Sequence, residues 1–278
     1  MTNYHGERAL RVSQLEIAVA DLARSAAFYR DELGFTVVVG GSGSAEVSAD
    51  GRTVLLRLRE LPGAKLRGRT AGLYHVAFLL PSREALGDFL RRAIDTQLPI
   101  QGAADHRVSE AIYLQDPDGV GIELYADTDD EGWRDALGRL DMGTDPFDYS
   151  GVYYAASGTS DRMPASTVIG HVHLSVHALA DSLSFYRDVI GLTVTSDGYP
   201  GAFFLASGGY HHHLAINAWE RVAPRQNDCA GLLSLTFSYA DCETAAAAID
   251  RAKTKGLTIA DDGAVDPDGT RIQFTVAS

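Results

Sequence analysis

The chain has 278 residues, of which 45% are hydrophobic and 22% charged, which excludes a mainly disordered polypeptide and allows about two domains with a sizeable core. Its formal net charge of −13 argues against nucleic acid or an anionic membrane as partner, because both select basic surface, and favours small molecules or cations. Two cysteines, Cys229 and Cys242, are too few for a disulfide framework or a zinc cluster. The N-terminal MTNYHGERALRVSQ lacks the apolar core of a signal peptide, and no run approaches about 18 apolar residues, so the expected location is cytoplasmic.

In chain order, a short apolar strand (Leu15 to Val19) leads to an amphipathic helix near 22–33, which Gly34 stops. Strand-like runs follow at Thr36 to Val39, Ala45 to Ser48 and Val54 to Leu58. The pattern then restarts. A strand from His75 to Leu80 precedes a helix at 82–95, in which Leu86, Phe89, Leu90 and Ala93 fall on one face. Asp116-Pro117-Asp118-Gly119 is a strong turn between two further strands. The stretch 127–166 is acidic and rich in Gly, Ser and Tyr; it is expected to be a linker with a covering role and a short helix near Trp133 to Arg139. Strands at His171 to Val176 and Leu233 to Ser238 then precede helices near 179–190 and 241–255, stopped by Gly191 and Gly256.

The second half is a copy of the first. Phe28-Tyr29-Arg30-Asp31 and Gly34 recur as Phe185-Tyr186-Arg187-Asp188 and Gly191, and the Asp-Pro-Asp-Gly turn recurs at Asp266 to Gly269. Gly72 to Phe78 matches Gly231 to Phe237. The fold class read from this is α+β, with four βαβββ units in two tandem halves, 10–126 and 167–278, joined by the linker.

The repeated FYRD helices, Gly170-His171-Val172-His173-Leu174, His211-His212-His213 and the run from Tyr113 to Glu123 resemble the vicinal-oxygen-chelate superfamily. Within it they resemble the type I extradiol ring-cleaving dioxygenases of the catechol 2,3-dioxygenase kind, over roughly 10–126 and 168–276. In such folds two units curl into a cup that holds a divalent metal. The resemblance places ligands on the first and last strands of a unit. First-strand positions are Gln14, His75, His171 and Ser234; last-strand positions are expected at Val54, Glu123, one of the His211–His213 run, and Gln273.

Units one and four thus offer poor metal chemistry, whereas units two and three carry His75, Glu123 and His171. Two histidines and a carboxylate form the facial triad of non-haem Fe(II) oxygenases, and the same set serves Mn(II). A triad drawn from these residues requires unit two to face unit three across the linker. The common pairing in extradiol enzymes, one with two and three with four, would leave the ligands in separate cups.

The resemblance also assigns chemistry. His212 matches the acid–base histidine, Tyr113 the tyrosine that hydrogen-bonds an ionised catechol oxygen, and His106, two residues out of the family's spacing, the remaining substrate histidine. His173 is expected to line the cup and His177 to be unremarkable. The implied reaction opens a small aromatic diol with O2 to a semialdehyde, with a homo-oligomer left open. Two rivals share the scaffold: a glyoxalase-like metal-dependent isomerase or lyase, and a metal-free ligand-sequestering protein.

Overall fold

A computed structural model describes residues 4–158, 160–260 and 262–277. Four units repeat the order strand, helix, three strands. The first comprises β1 (Arg11–Val19), α1 (Leu22–Ala27, widening into a π turn over Phe28–Glu32), β2 (Thr36–Val39), β3 (Ser44–Ser48) and β4 (Val54–Glu60). The second comprises β5 (Gly72–Leu79), α2 (Arg83–Asp95), β6 (Gly102–Asp105), β7 (Ser109–Gln115) and β8 (Gly121–Asp127). After the linker helix α3 (Tyr149–Ala155) come β9 (Val168–Ser175), α4 (Leu179–Ser184, with a π turn over Phe185–Ile190), β10 (Thr193–Ser196), β11 (Ala202–Ala206) and β12 (Leu214–Asn217). The fourth unit is β13 (Gly231–Tyr239), α5 (Cys242–Thr254), β14 (Ile259–Ala260), β15 (Gly263–Val265) and β16 (Arg271–Val276). Among the described residues no helix is long and apolar enough to cross a membrane.

The units pair first with last and middle with middle. One eight-stranded sheet runs β14-β15-β16-β13-β1-β4-β3-β2, the other β10-β11-β12-β9-β5-β8-β7-β6. In each, the first strands of two units lie antiparallel at the centre, with Leu15 opposite Leu235 in one sheet and Val76 opposite Val172 in the other. Each sheet therefore takes one unit from each half of the chain.

What ties the units within a half is the pair of repeated motifs, which meet. The Tyr186 hydroxyl donates to Asp266 at 2.8 Å, and Tyr29 reaches Asp116 at 3.5 Å. Asp116 also accepts the Asp118 and Val120 amides, and Asp266 those of Asp268 and Thr270. The FYRD tyrosine of one unit thus docks on the buried turn aspartate of the next, while backbone pairing joins the halves. A continuous apolar core under both sheets, from Leu15 and Ile17 through Phe35 and Phe78 to Leu235 and Phe237, holds this together.

The linker departs from expectation. No helix forms at Trp133 to Arg139, where a tight reversal closes through the bridge of Arg134 with Leu140. The Arg139 amide and side chain both bond Asp135, an Asx-type turn that competes with helix. The linker helix is α3, capped by Asp148. It lies on α2 at Gly87, where a Cβ would come within 2.3 Å of the Val152 carbonyl.

Candidate metal centre and active site

The middle sheet brings the three expected ligand positions onto one row. Ala77 on β5 is the register partner of Glu123 on β8 and of His171 on β9. Side chains of residues opposite one another share a face, and so do those two along a strand, which adds His75 and His173. Ala77 contributes only a methyl group between its neighbours and leaves room above the row.

His75 Nε2 lies 3.0 Å and His171 Nε2 3.3 Å from the same Glu123 oxygen, Oε2, and the two nitrogens are 3.4 Å apart. All three residues are buried. Burial pushes the Glu123 carboxyl up, but His171 and His75 outweigh it and hold the group well below the usual carboxylate range. At His171 burial is the larger influence; it outweighs Glu123 and lowers the imidazole to about 4. At neutral pH the site presents a carboxylate beside a neutral His171, the protonation a cation needs.

This donor set fits a divalent ion. Neighbouring donors on an octahedral ion at about 2.1 Å are about 3 Å apart, whereas opposed donors are about 4 Å apart. Three separations of 3.0, 3.3 and 3.4 Å therefore suit three adjacent donors on one ion and exclude an opposed pair. The Nδ1 of His171 is buried without a hydrogen-bond partner, so nothing on that side prevents Nε2 from serving as the ligand atom.

Two positions expected on last strands need correction. The His211–His213 run precedes β12 rather than lying in it, and the residue that stands to His173 as Glu123 stands to Ala77 is Ala215. In unit one the corresponding residue is Arg57, paired with Glu16, and not Val54, whose carbonyl accepts from Gln14. Sequence spacing alone sets the expected positions, and loops of different length before these strands shift them. The methyl of Ala215 at the fourth position leaves three candidate ligand residues.

Above the row is a cavity of about 470 Å³, lined by His75, His171, Glu123, His106, Tyr113, His173 and His212 among others. His106 Nδ1 donates to the Gly143 carbonyl at 2.8 Å, so its Nε2 accepts the Tyr113 hydroxyl at 2.6 Å. Burial first, then the Glu123 charge, pushes the Tyr113 hydroxyl well above 10, and it stays protonated. The linker therefore does cover the site: Gly143 fixes His106, while Met142 and Thr144 line the wall.

The three consecutive histidines separate. His212 faces the cavity, with its ring 4.0 Å from that of His171. Burial first, then the neighbouring His171 and His211, holds its pKa well below 6.5. His211 lies behind it, Nδ1 to Nδ1 at 2.7 Å, and its Nε2 bonds Asp127 at 3.0 Å. His213 turns away to the Tyr4 carbonyl and the Ser207 amide. His177 bonds the Val222 carbonyl, outside the cavity.

Two bulges on the central strands shape the site. Tyr74 is an extra residue on β5, since Leu73 pairs with Leu174 and His75 already with His173. Such a bulge re-aims a side chain, and here it brings Tyr74 into the cavity wall beside His75. With His173, Phe204, Tyr199 and Trp219 it forms an aromatic wall at the mouth. A second bulge falls at Gly170, where a Cβ would meet the Tyr125 hydroxyl at 1.8 Å.

The sequence profile of the Glyoxalase/Bleomycin resistance protein/Dioxygenase superfamily matches residues 11–124 and 168–275. The chain belongs to this superfamily. It is 38% identical over 267 residues to the catechol-2,3-dioxygenase of Bacillus subtilis (strain 168), covering 93% of this chain and 92% of that protein. That likeness places it with the catechol 2,3-dioxygenase-like members, so it is an enzyme of the extradiol dioxygenase class. The fold is also that of a crystallised protein of Bacillus subtilis subsp. subtilis str. 168, at TM-score 0.67 and 11% identity, covering 98% of this chain and 87% of that one. Glyoxalase I from Zea mays has the same fold at TM-score 0.56 and 16% identity, covering 98% of this chain and 94% of that one.

Proposed function

We propose that the chain is an Fe(II)-dependent extradiol dioxygenase that opens a catechol-type ring with O2 to a ring-opened semialdehyde, with His75, His171 and Glu123 as the metal ligands. The observation that carries this reading is the facial set of separations, 3.0, 3.3 and 3.4 Å, at the floor of a cavity. Mn(II) fits the same donors. Bound metal supplies a Lewis acid for the two catechol oxygens and a path for electrons from the ring to O2.

The remaining chemistry falls to side chains around the cup. His212 takes the second catechol proton at Nε2, the ring nitrogen without a hydrogen-bond partner in the cavity wall, and returns it later. Tyr113 stays protonated with its proton given to His106 Nε2, and its oxygen orients the ring by accepting from a catechol hydroxyl. The aromatic wall of Tyr74, Phe204 and Trp219 keeps the ring out of water.

A glyoxalase-type reaction needs a further carboxylate as base on the strand where this chain has Ala215. The test is metal analysis of anaerobically purified protein, followed by an O2 electrode with catechol. The expected result is about one Fe or Mn per chain and catechol-dependent O2 uptake with a yellow product. Metal-free protein that ignores catechol, or turnover of a hemithioacetal in its place, overturns the proposal.

A further inference from the structure

The group that holds His212 in place is not itself in the cup. Asp127 ends β8, four residues beyond Glu123 on the same strand, and its Oδ1 accepts from His211 Nε2 at 3.0 Å. Tyr210 adds its hydroxyl to the same oxygen at 3.1 Å, and Tyr125 lies 2.7 Å behind that hydroxyl. A carboxylate only accepts, so His211 Nε2 carries a proton, and in neutral His211 the Nδ1 then carries a lone pair. That lone pair faces His212 Nδ1 at 2.7 Å, which must then be the donor. Each step fixes the next, and the last leaves His212 Nε2 unprotonated.

The surroundings keep His211 in this orientation. It is fully buried, stacked on Tyr210 at 3.9 Å and flanked by Trp133 at 5.0 Å. The Thr195 hydroxyl bonds its backbone carbonyl at 2.6 Å. We infer that Asp127 and His211 are positioning residues that select the Nδ1–H tautomer of His212 and so turn its free Nε2 into the base of the reaction. This rests on the dioxygenase reading for its consequence, but the tautomer itself does not.

The geometry also explains why three histidines stand in a row at the head of β12. One faces the cup, one connects it to a carboxylate, and one bonds the Tyr4 carbonyl on the far side.

The test is ring nitrogen NMR of the full chain, labelled at histidine, with His212→Phe used to assign the His212 signals. The expected pattern in the metal-free protein is protonated Nδ1 and bare Nε2 at His212. In Asp127→Ala this pattern is lost. When that variant is loaded with Fe(II), kcat falls by about 10²-fold, with metal content and KM near those of the unsubstituted chain. Formate, a carboxylate small enough to occupy the space left by the side chain, restores both tautomer and kcat. An unchanged tautomer in Asp127→Ala overturns the inference, as does a kcat loss that formate leaves in place. A protein that shows the tautomer and its loss but consumes no O2 with catechols refutes the dioxygenase reading alone.

Discussion

Asp266 should make the protein less stable as pH rises from 4 to 7, and replacing it by Asn should remove that dependence. The turn aspartate is buried, and burial, the largest influence, raises its carboxyl from 3.8 to about 6 against the opposing bonds from Tyr186 and the Thr270 amide. A group whose folded pKa lies above its unfolded value binds more protons in the folded state. Its contribution is therefore complete below about pH 4 and is lost as pH passes through about 6. A displacement of about two pH units corresponds to roughly 3 kcal/mol, at a linkage value of about 1.4 kcal/mol per unit.

Carboxyls held low, such as Glu123, work in the opposite direction, so the whole-protein profile mixes signs. The difference between Asp266→Asn and the unsubstituted chain isolates one group. Asn keeps an acceptor for the Thr270 and Asp268 amides and cannot ionise. Urea midpoints at pH 4.5 and pH 7.0 are expected to show the variant gaining on the unsubstituted chain by roughly 2 kcal/mol between the two. A difference that stays constant with pH would refute the burial argument for this turn.

Metal loss is expected in His75→Ala, His171→Ala and Glu123→Ala, and metal retention in Gln14→Ala and Ser234→Ala; atomic absorption on each purified variant decides, and full retention in the first three would end the proposal. His212→Phe is expected to keep its metal and lose turnover by roughly 10²–10⁴-fold, the usual scale for general acid–base work, whereas a metal-free His212→Phe would make His212 a ligand. Gly170→Ala is expected to displace Tyr125, since the added Cβ falls 1.8 Å from its hydroxyl, and to lower Tm measurably; unchanged Tm would show that the bulge relaxes freely.

Much of the architecture was readable because it repeats. Periodicity gave the helices at 22–33, 82–95, 179–190 and 241–255, which the structure starts and ends within a residue or two. The chemical contrast between Gln14 and Ser234 on one side and His75 and His171 on the other already pointed to middle-with-middle pairing, and β5 does lie beside β9. What failed was local. Loops of different length before β4 and β12 hide the register, and with it Arg57 and Ala215. The bulge at Tyr74 has no composition signal, since Tyr74 looks like any strand tyrosine, whereas a lone glycine inside a strand, as at Gly170, is one. The link from Asp127 to His211 joins residues of different units and has no spacing to betray it.

The two sheets show how one register carries opposite chemistry. In the outer pair of units, Thr236 is opposite both Gln14 and Gln273, as Ala77 is opposite His171 and Glu123 in the inner pair. There the polar groups satisfy one another. Gln273 Oε1 accepts from Ser234 and Thr236, its Nε2 donates to Asp262, and Gln14 donates to the Val54 carbonyl. Every amide and hydroxyl named has a partner, and a neutral set so arranged gains nothing from a cation. In the inner sheet two ring nitrogens and a carboxylate oxygen converge instead, and protons alone serve that cluster poorly. The inner row is the arrangement a cation completes, and it is also where the cavity, the bulged tyrosine and the His212 relay meet. Division of labour between the sheets thus follows from four side-chain exchanges on a shared backbone: Gln14 against His171, Ser234 against His75, Gln273 against Glu123, and Thr236 against Ala77.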